Sequence, residues 1–325
     1  MTELEQALVR TLAFFDIFNY PLTMVEIWMW LNTNHTQINT NNSRIDTNNT
    51  RINHEYRVSD IDAALSRMTD KVESKNGFYF LKGREAIIEE RLRRYGFAED
   101  KFQRAIKFIK IFRFIPFIKT IAICNTLAYS NSAQSGDIDL FVIAKKNRLW
   151  LTRFLVVGFL KLLKVRPTEE NKEDTIDTTF FLSDEDLNIK ELQLQNPDTY
   201  LIYWINQVVP IYDINNTYQK FQSANGWIKE CLPNTYGYQL NDRRLVSQNW
   251  FTKIISWKLK LLLDWQFWEN MVKKYQLKVL PRSIKEMMNK DSRVVINDKM
   301  LKFHRGDRRA EYQEKYTRTL EHWNT

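Results

Sequence analysis

The chain has 325 residues, 44% of them apolar and 14% aromatic, with eight glycines, seven prolines and a formal net charge of +9. This is enough chain for two or three domains with their own cores, and the composition reads as a mostly helical globular protein. Two cysteines 107 positions apart, Cys124 and Cys231, exclude a disulfide framework and a cysteine metal motif, which fits a reducing cytoplasm.

The longest apolar run, Leu149 to Leu163, carries Arg153 and Lys161 and is too short to span a bilayer. Met1-Thr2-Glu3 leads directly into an amphipathic helix, so no leader and no membrane partner are expected, and the expected location is cytoplasmic. The positive charge is unevenly placed. Residues 241–325 hold nineteen Lys and Arg against ten Asp and Glu, and residues 86–119 hold nine against four. A basic balance of this size attracts polyanions, so nucleic acid is a candidate partner of the C-terminal region.

In chain order, Leu4, Leu8, Leu12 and Phe15 predict a first helix over 3–15. Thr23 with Glu26 is a capping-box signature for a second helix from Met24 to about Leu31. An Asn-rich tandem repeat then reads as a disordered insertion over about 32–56. Ser59 caps a third predicted helix, with Ile61, Leu65, Met68 and Val72 on one face. Asn76-Gly77 ahead of Phe78-Tyr79-Phe80-Leu81 marks a hairpin. Three helices and a hairpin make the order of a winged helix over 1–83, with Arg67, Lys71, Lys75 and Lys82 as candidate DNA contacts.

Residues 84–116 predict a basic connecting helix, or two helices joined near Gly96. An apolar strand ending at Cys124, a polar loop from Asn125 to Gly136, and a strand opening with Asp137-Ile138-Asp139 follow. Residues i and i+2 of a strand share a face, which sets the two carboxylates roughly 6 to 7 Å apart. Such a pair repels itself unless a cation neutralises it, and the small-residue loop can turn backbone N–H groups toward a phosphate. Asn147 is the expected cap of a helix from Arg148 to Leu163, and Arg148 and Arg153 are candidate charge partners. Thr175 to Leu182 predicts a third strand, and Asp177 beside the pair would make a three-carboxylate cluster.

Tyr200 to Ile211 reads as a helix ending at Pro210, and the chain beyond Pro233 reads as helical, basic and aromatic. Trp250, Trp257, Trp265 and Trp268 interleave with Lys253, Lys258 and Lys260, a spacing expected of core tryptophans, with base stacking as the other reading. His304 reads as solvated or as a phosphate contact.

Ser135-Gly136-Asp137-Ile138-Asp139-Leu140, between two apolar strands, resembles the signature of the nucleotidyltransferase superfamily typified by DNA polymerase beta. Asn125-Thr126 stands where that signature has Gly-Ser. The segments FDIFNYPLT, GFYFLKGRE, SGDIDLFVIAKKNRLWLTR, INQVVPIYD and ANGWIKECLPN are similar to uncharacterised bacterial nucleotidyltransferase-domain proteins with an N-terminal winged helix. The resemblance implies an α+β multidomain chain: a winged helix (1–83), a small mixed-sheet nucleotidyltransferase domain (117–215) and a basic helical C-terminal region (216–325).

It also implies transfer of a nucleoside monophosphate from a nucleoside triphosphate to a hydroxyl of nucleic acid, protein or a small molecule. Asp137 and Asp139 would hold two Mg²⁺ ions, or Mn²⁺, with Asp177 as the third catalytic acid. Asn125, Thr126, Ser135, Gly136 and Arg148 would bind the phosphates. The alternative is a catalytically degenerate nucleotide- or DNA-binding regulator on the same scaffold.

Overall fold

The computed structural model describes residues 1–33, 56–168, 171–235 and 243–324. The chain is an α+β protein that divides into two compact units. The first comprises Met1–Leu92, Gly226–Tyr236 and Ala310–Thr325, and the second Arg93–Asn225 and Gly237–Arg309.

The first unit opens with α1 (Glu3–Asp16), whose apolar stripe buries Leu4, Leu8, Leu12 and Phe15 as its periodicity predicts. Full burial of Leu8 and Phe15 stabilises by about 1.5–3 kcal/mol each. Then come β1 (Leu22–Thr23), α2 (Met24–Met29), α3 (Val58–Arg67), β2 (Val72–Lys75) and β3 (Phe78–Leu81). The Thr23–Glu26 capping box is formed in both directions. Asn76 and Gly77 both take positive φ, as a two-residue hairpin turn with right-handed strand twist requires. The three strands form an antiparallel sheet in the order β1-β3-β2.

Three local expectations change here. Val72 begins β2 rather than extending the third helix, which ends at Arg67 because Met68 to Lys71 turn into the hairpin. The N-cap of α3 is Arg57, whose backbone N–H donates to Asp60, so Ser59 lies inside the helix. The predicted insertion over about 32–56 lies mostly outside the described residues, but Asn32 and Thr33 are buried and receive hydrogen bonds from Arg10.

The helix α4 (Ile87–Phe112) runs through Gly96 without a break, and the boundary between the units falls within it at Leu92 and Arg93. The second unit continues with β4 (Ile118–Ile123), α5 (Asn125–Ala128), β5 (Ile138–Ala144), α6 (Leu149–Leu162), β6 (Ile176–Ser183), α7 (Thr199–Gln207), β7 (Val209–Asp213) and α8 (Thr217–Ala224). It closes with α9 (Trp250–Leu263), α10 (Gln266–Val279), α11 (Arg282–Met287), β8 (Val294–Ile296) and β9 (Met300–Phe303). The last helix, α12 (Arg309–Asn324), belongs almost wholly to the first unit, where Tyr316 is buried against Phe14 of α1.

The sheet of the second unit is mixed, in the order β7-β4-β5-β6-β9-β8. The strands β5 and β6 are parallel and joined through α6, while the other pairs are antiparallel. Segment 209–213, expected as the end of a helix, is an edge strand. Pro210 cannot donate to a ladder and is tolerated at a sheet edge.

The C-terminal region is likewise not helical throughout. It supplies β8 and β9, and its described residues 243–309 belong to the same unit as the sheet. The cap of α6 also differs from expectation. Glu269 of α10 accepts the N–H groups of Trp150 and Leu151 at 2.9 Å, replacing Asn147, which sits at positive φ.

Candidate active site

The parallel pairing of β5 with β6 places Asp139 opposite Asp177. Asp137 lies just ahead of β5, and oxygen atoms from the three carboxylates lie within 4.8 Å of one another. Ile138, Leu140 and Val142 occupy alternate positions and are buried in the core, which fixes the face that the aspartates take.

The two strand openings are held by α4. The buried Lys101 donates to the carbonyls of Gln134 and Gly136 and to the Asp174 carboxylate, at 2.7–3.0 Å. Arg104 donates to the Asp174 carbonyl at 2.6 Å. One helix thus clamps the loop before Asp137 and the turn before Asp177. Lys101 is not among the residues expected at the site, yet it sits one turn from Ala98 and Ala105 on the apolar stripe of α4, an unusual place for a lysine.

Neighbouring charge compensates the carboxylates only in part. Burial, then Asp137 and Asp177, pushes Asp139 up to about 8, offset in part by a hydrogen bond from Asn125. Burial raises Asp177 to about 6, with Arg166 opposing and Asp137 reinforcing. Arg166 is 3.9 Å from Asp177, the far limit of an ion pair. Burial and the same acids push the Cys124 thiol well up, so it is a neutral packing group. Three hard oxygen donors at this spacing suit Mg²⁺ or Mn²⁺, and a divalent cation would offset the burial and repulsion that raise Asp139 and Asp177.

The carboxylates line a cavity of about 980 Å³. Five cationic side chains share its wall: Arg153, Lys161, Arg166, Lys172 and Arg305. The Nε atoms of Arg153 and Arg166 are buried without a hydrogen-bond partner. Arg153 also donates to Gln276 at 2.5 Å and lies 4.2 Å from the Phe303 ring, and burial with the neighbouring Arg166 lowers its pKa to about 10. His304 is half-buried in the cavity wall rather than fully solvated. Burial pushes it down to about 3, so it is neutral, with Nε2 3.3 Å from Thr179 Oγ1 and Nδ1 unpartnered. An apolar stretch of the wall comes from α6, α10, α11 and β9, including Phe154, Tyr275, Val279, Ile284 and Phe303.

Of the phosphate-binding candidates, Asn125 lines the cavity and takes the left-handed conformation, at φ 57°. Its Oδ1 accepts from Trp204 Nε1 at 3.0 Å. Thr126, Ser135, Gly136 and Arg148 do not line it. The Gly136 N–H is spent on Ala133, and a Cβ there would approach the Ala133 carbonyl to 3.1 Å, so this glycine serves the turn. Arg148 is consumed by Asp264, Gln266 and the Asn147 carbonyl, which anchors the start of α6. Arg153, one and a half turns further along α6, faces the carboxylates instead. Nothing in the local sequence marks Arg166, Lys161, Lys172 and Arg305 as site residues, and folding alone assembles them.

In the first unit, Arg67 lies 3.4 Å from Glu5, Lys75 pairs with Glu85, and Lys71 donates to the Trp323 carbonyl. Lys82 is exposed. No family model matches this sequence, no curated protein matches it, and no solved structure matches the fold.

Proposed function

We propose that the chain is a metal-dependent nucleotidyltransferase, a reading carried by the carboxylate triad on two parallel strands inside a cavity with five cationic side chains. Asp137 and Asp139 would hold the metal, with Asp177 beside them. When bound, Mg²⁺ neutralises phosphate oxygens and lowers the pKa of the acceptor hydroxyl. Arg153 and Arg166 have guanidinium donors to spare and bind the β- and γ-phosphates, with Lys172 and Arg305 adding charge. The acceptor oxygen bonds to the α-phosphorus, the bond to the bridging oxygen breaks, and pyrophosphate leaves with its charge neutralised. Asp177 would position the acceptor hydroxyl and take its proton. Phe154 and Tyr275 offer the nucleobase an apolar wall.

We read the first unit as a winged helix from its helix and strand order, and the second as a nucleotidyltransferase domain extended by β8 and β9. Arg67, Lys71 and Lys75 already have partners and Asp60, Asp62 and Asp70 are exposed, which supports a protein-contacting winged helix over a DNA reader. The test is to incubate the protein with Mg²⁺ and each α-labelled triphosphate, with and without RNA or lysate, beside Asp137→Asn and Asp139→Asn. Label transfer that is equal in wild type and variants would sink the catalytic reading.

A further inference from the structure

The helix α9 is built to form and yet packs little of itself. Asn249 and Thr252 make a complete capping box at its start. At its end the indoles of Trp265 and Trp268 donate to the Leu261 and Leu262 carbonyls, two of the four that a helix terminus leaves free. Only Thr252 of its fourteen residues is fully buried. Trp250, Ile254, Trp257 and Leu261, at i, i+4, i+7 and i+11, form one ridge, and all four are exposed, Trp250 to 74%. Phe251 and Leu262 widen the ridge on one side, and Trp265 and Phe267 continue it past the helix end, all exposed. The expectation that these tryptophans are core is therefore overturned for Trp250, Trp257 and Trp265.

The charges around this face decide what covers it. Lys253 and Lys260 flank one side, Lys258 lies among the apolar residues on the other, and all three are exposed. No acidic residue lies between Trp250 and Leu263, and the adjacent Asp264 is held by Lys145 and Arg148. A second copy of the helix would bring lysines against lysines with nothing to balance them. A nucleic acid would pair with the lysines but leave Ile254, Leu261 and Leu262 against phosphate.

We propose that α9 docks on the surface of an anionic lipid bilayer. It would lie in the headgroup plane, with its aliphatic ridge in the acyl boundary, its tryptophans at the interface and its lysines on lipid phosphates. No helix among the described residues is long and apolar enough to cross a membrane, and a surface-lying helix needs no such length. The expectation of no membrane partner rests on spans and leaders and does not bear on such a helix.

The test uses the full chain with two vesicle types, pure phosphatidylcholine and an equimolar mixture with phosphatidylglycerol. The protein should sediment with the mixed vesicles, show a blue shift of tryptophan emission, and release at high salt. Replacing Lys253, Lys258 and Lys260 together by Gln should lower partitioning on the order of a hundredfold, the equivalent of about 1 kcal/mol per lysine. The L261Q/L262Q double variant should abolish the blue shift, and thermal melts of both variants confirm that they fold. Failure to sediment with either vesicle, or variants that partition like wild type, would overturn the proposal. So would a concentration-dependent dimer that L261Q/L262Q dissolves while lipid binding is absent, since that assigns the face to a second copy. Capture of an acidic protein through α9 without vesicle binding overturns it equally.

Discussion

The second unit holds two clusters of charge, and they are composed differently. In one, Lys302 and Arg309 meet Asp198 and Asp307, two cations against two anions. Arg309 donates to Asp307, Asp198, the Leu192 carbonyl and Ser292 at 2.8–3.0 Å, so its guanidinium is fully used. Burial pushes Asp307 up, but hydrogen bonds from Arg309 and the charge of Lys302 win and hold it at about 2. In the other cluster three carboxylates stand together, Asp139 is pushed up to about 8, and the nearest guanidinium donors are left partly unused. Saturated, balanced polar groups belong to the architecture. Three carboxylates with one ion pair at 3.9 Å, beside guanidinium donors that are partly unused, suit a divalent cation and the phosphate oxygens it would carry.

The contrast can be broken first at the carboxylates. Asp139→Asn and Asp137→Asn should each reduce label transfer by about a thousandfold or more, roughly 4 kcal/mol of barrier. The same substitutions should raise the melting temperature of metal-free protein, because they remove mutual repulsion. Arg309→Leu should do the reverse. It leaves Asp198 without its cation and Asp307 with Lys302 alone, and should cost about 3–5 kcal/mol in denaturant melts, with transfer per folded molecule unchanged. A neutral Arg309→Leu would remove the structural reading of that cluster.

Two arginines on one helix carry the contrast to a smaller scale. Arg148→Gln should destabilise by about 2–3 kcal/mol, because it removes the guanidinium that Asp264 pairs with. Arg153→Gln should melt near wild type and raise KM for the triphosphate about tenfold, the mark of weakened ground-state binding. Equal KM in the two variants would detach Arg153 from the substrate.

What is legible in the sequence follows from how local each feature is. The strands β4, β5 and β6 are short apolar runs between polar turns, and Asp137, Asp139 and Asp177 sit where those turns end, so strand periodicity aligns the first two and the parallel pairing of β5 with β6 adds the third. The Thr23–Glu26 box and the Asn76-Gly77 turn are equally local. By contrast, β7 is hidden by Pro210, which signals a helix end as readily as a sheet edge. The strands β8 and β9 have three and four residues, too few to show a period. Arg153 and Arg148 look alike in sequence, and only the packing of α6 on α10 turns one to Asp264 and the other to the cavity. Core tryptophans and docking tryptophans share one helical spacing, so the exposure of Trp250 and Trp257 cannot be read from it.

The weakest effect is the pH dependence, and it separates the two clusters by sign. Asp139 and Asp177 have folded-state values of about 8 and about 6, above the 3.8 of an unperturbed aspartate. Between these values the folded state holds more protons than the unfolded state, so stability falls as pH rises. The contribution of these two is complete below the unfolded value and lost as pH climbs through the folded ones. Asp307, held at about 2, behaves oppositely: its contribution is present above the unfolded value and lost as pH falls through the folded one. Melts of metal-free wild type should therefore decline from mildly acidic to mildly alkaline pH, and Asp139→Asn should decline less. Mg²⁺ binds the deprotonated carboxylates, so its stabilising effect should grow with pH over the same window. Arg309→Leu should keep the wild-type slope there, because the Asp307 window lies lower. A wild-type profile that is flat across the window, or a slope that survives Asp139→Asn, would show that these carboxylates are compensated by something other than a bound cation.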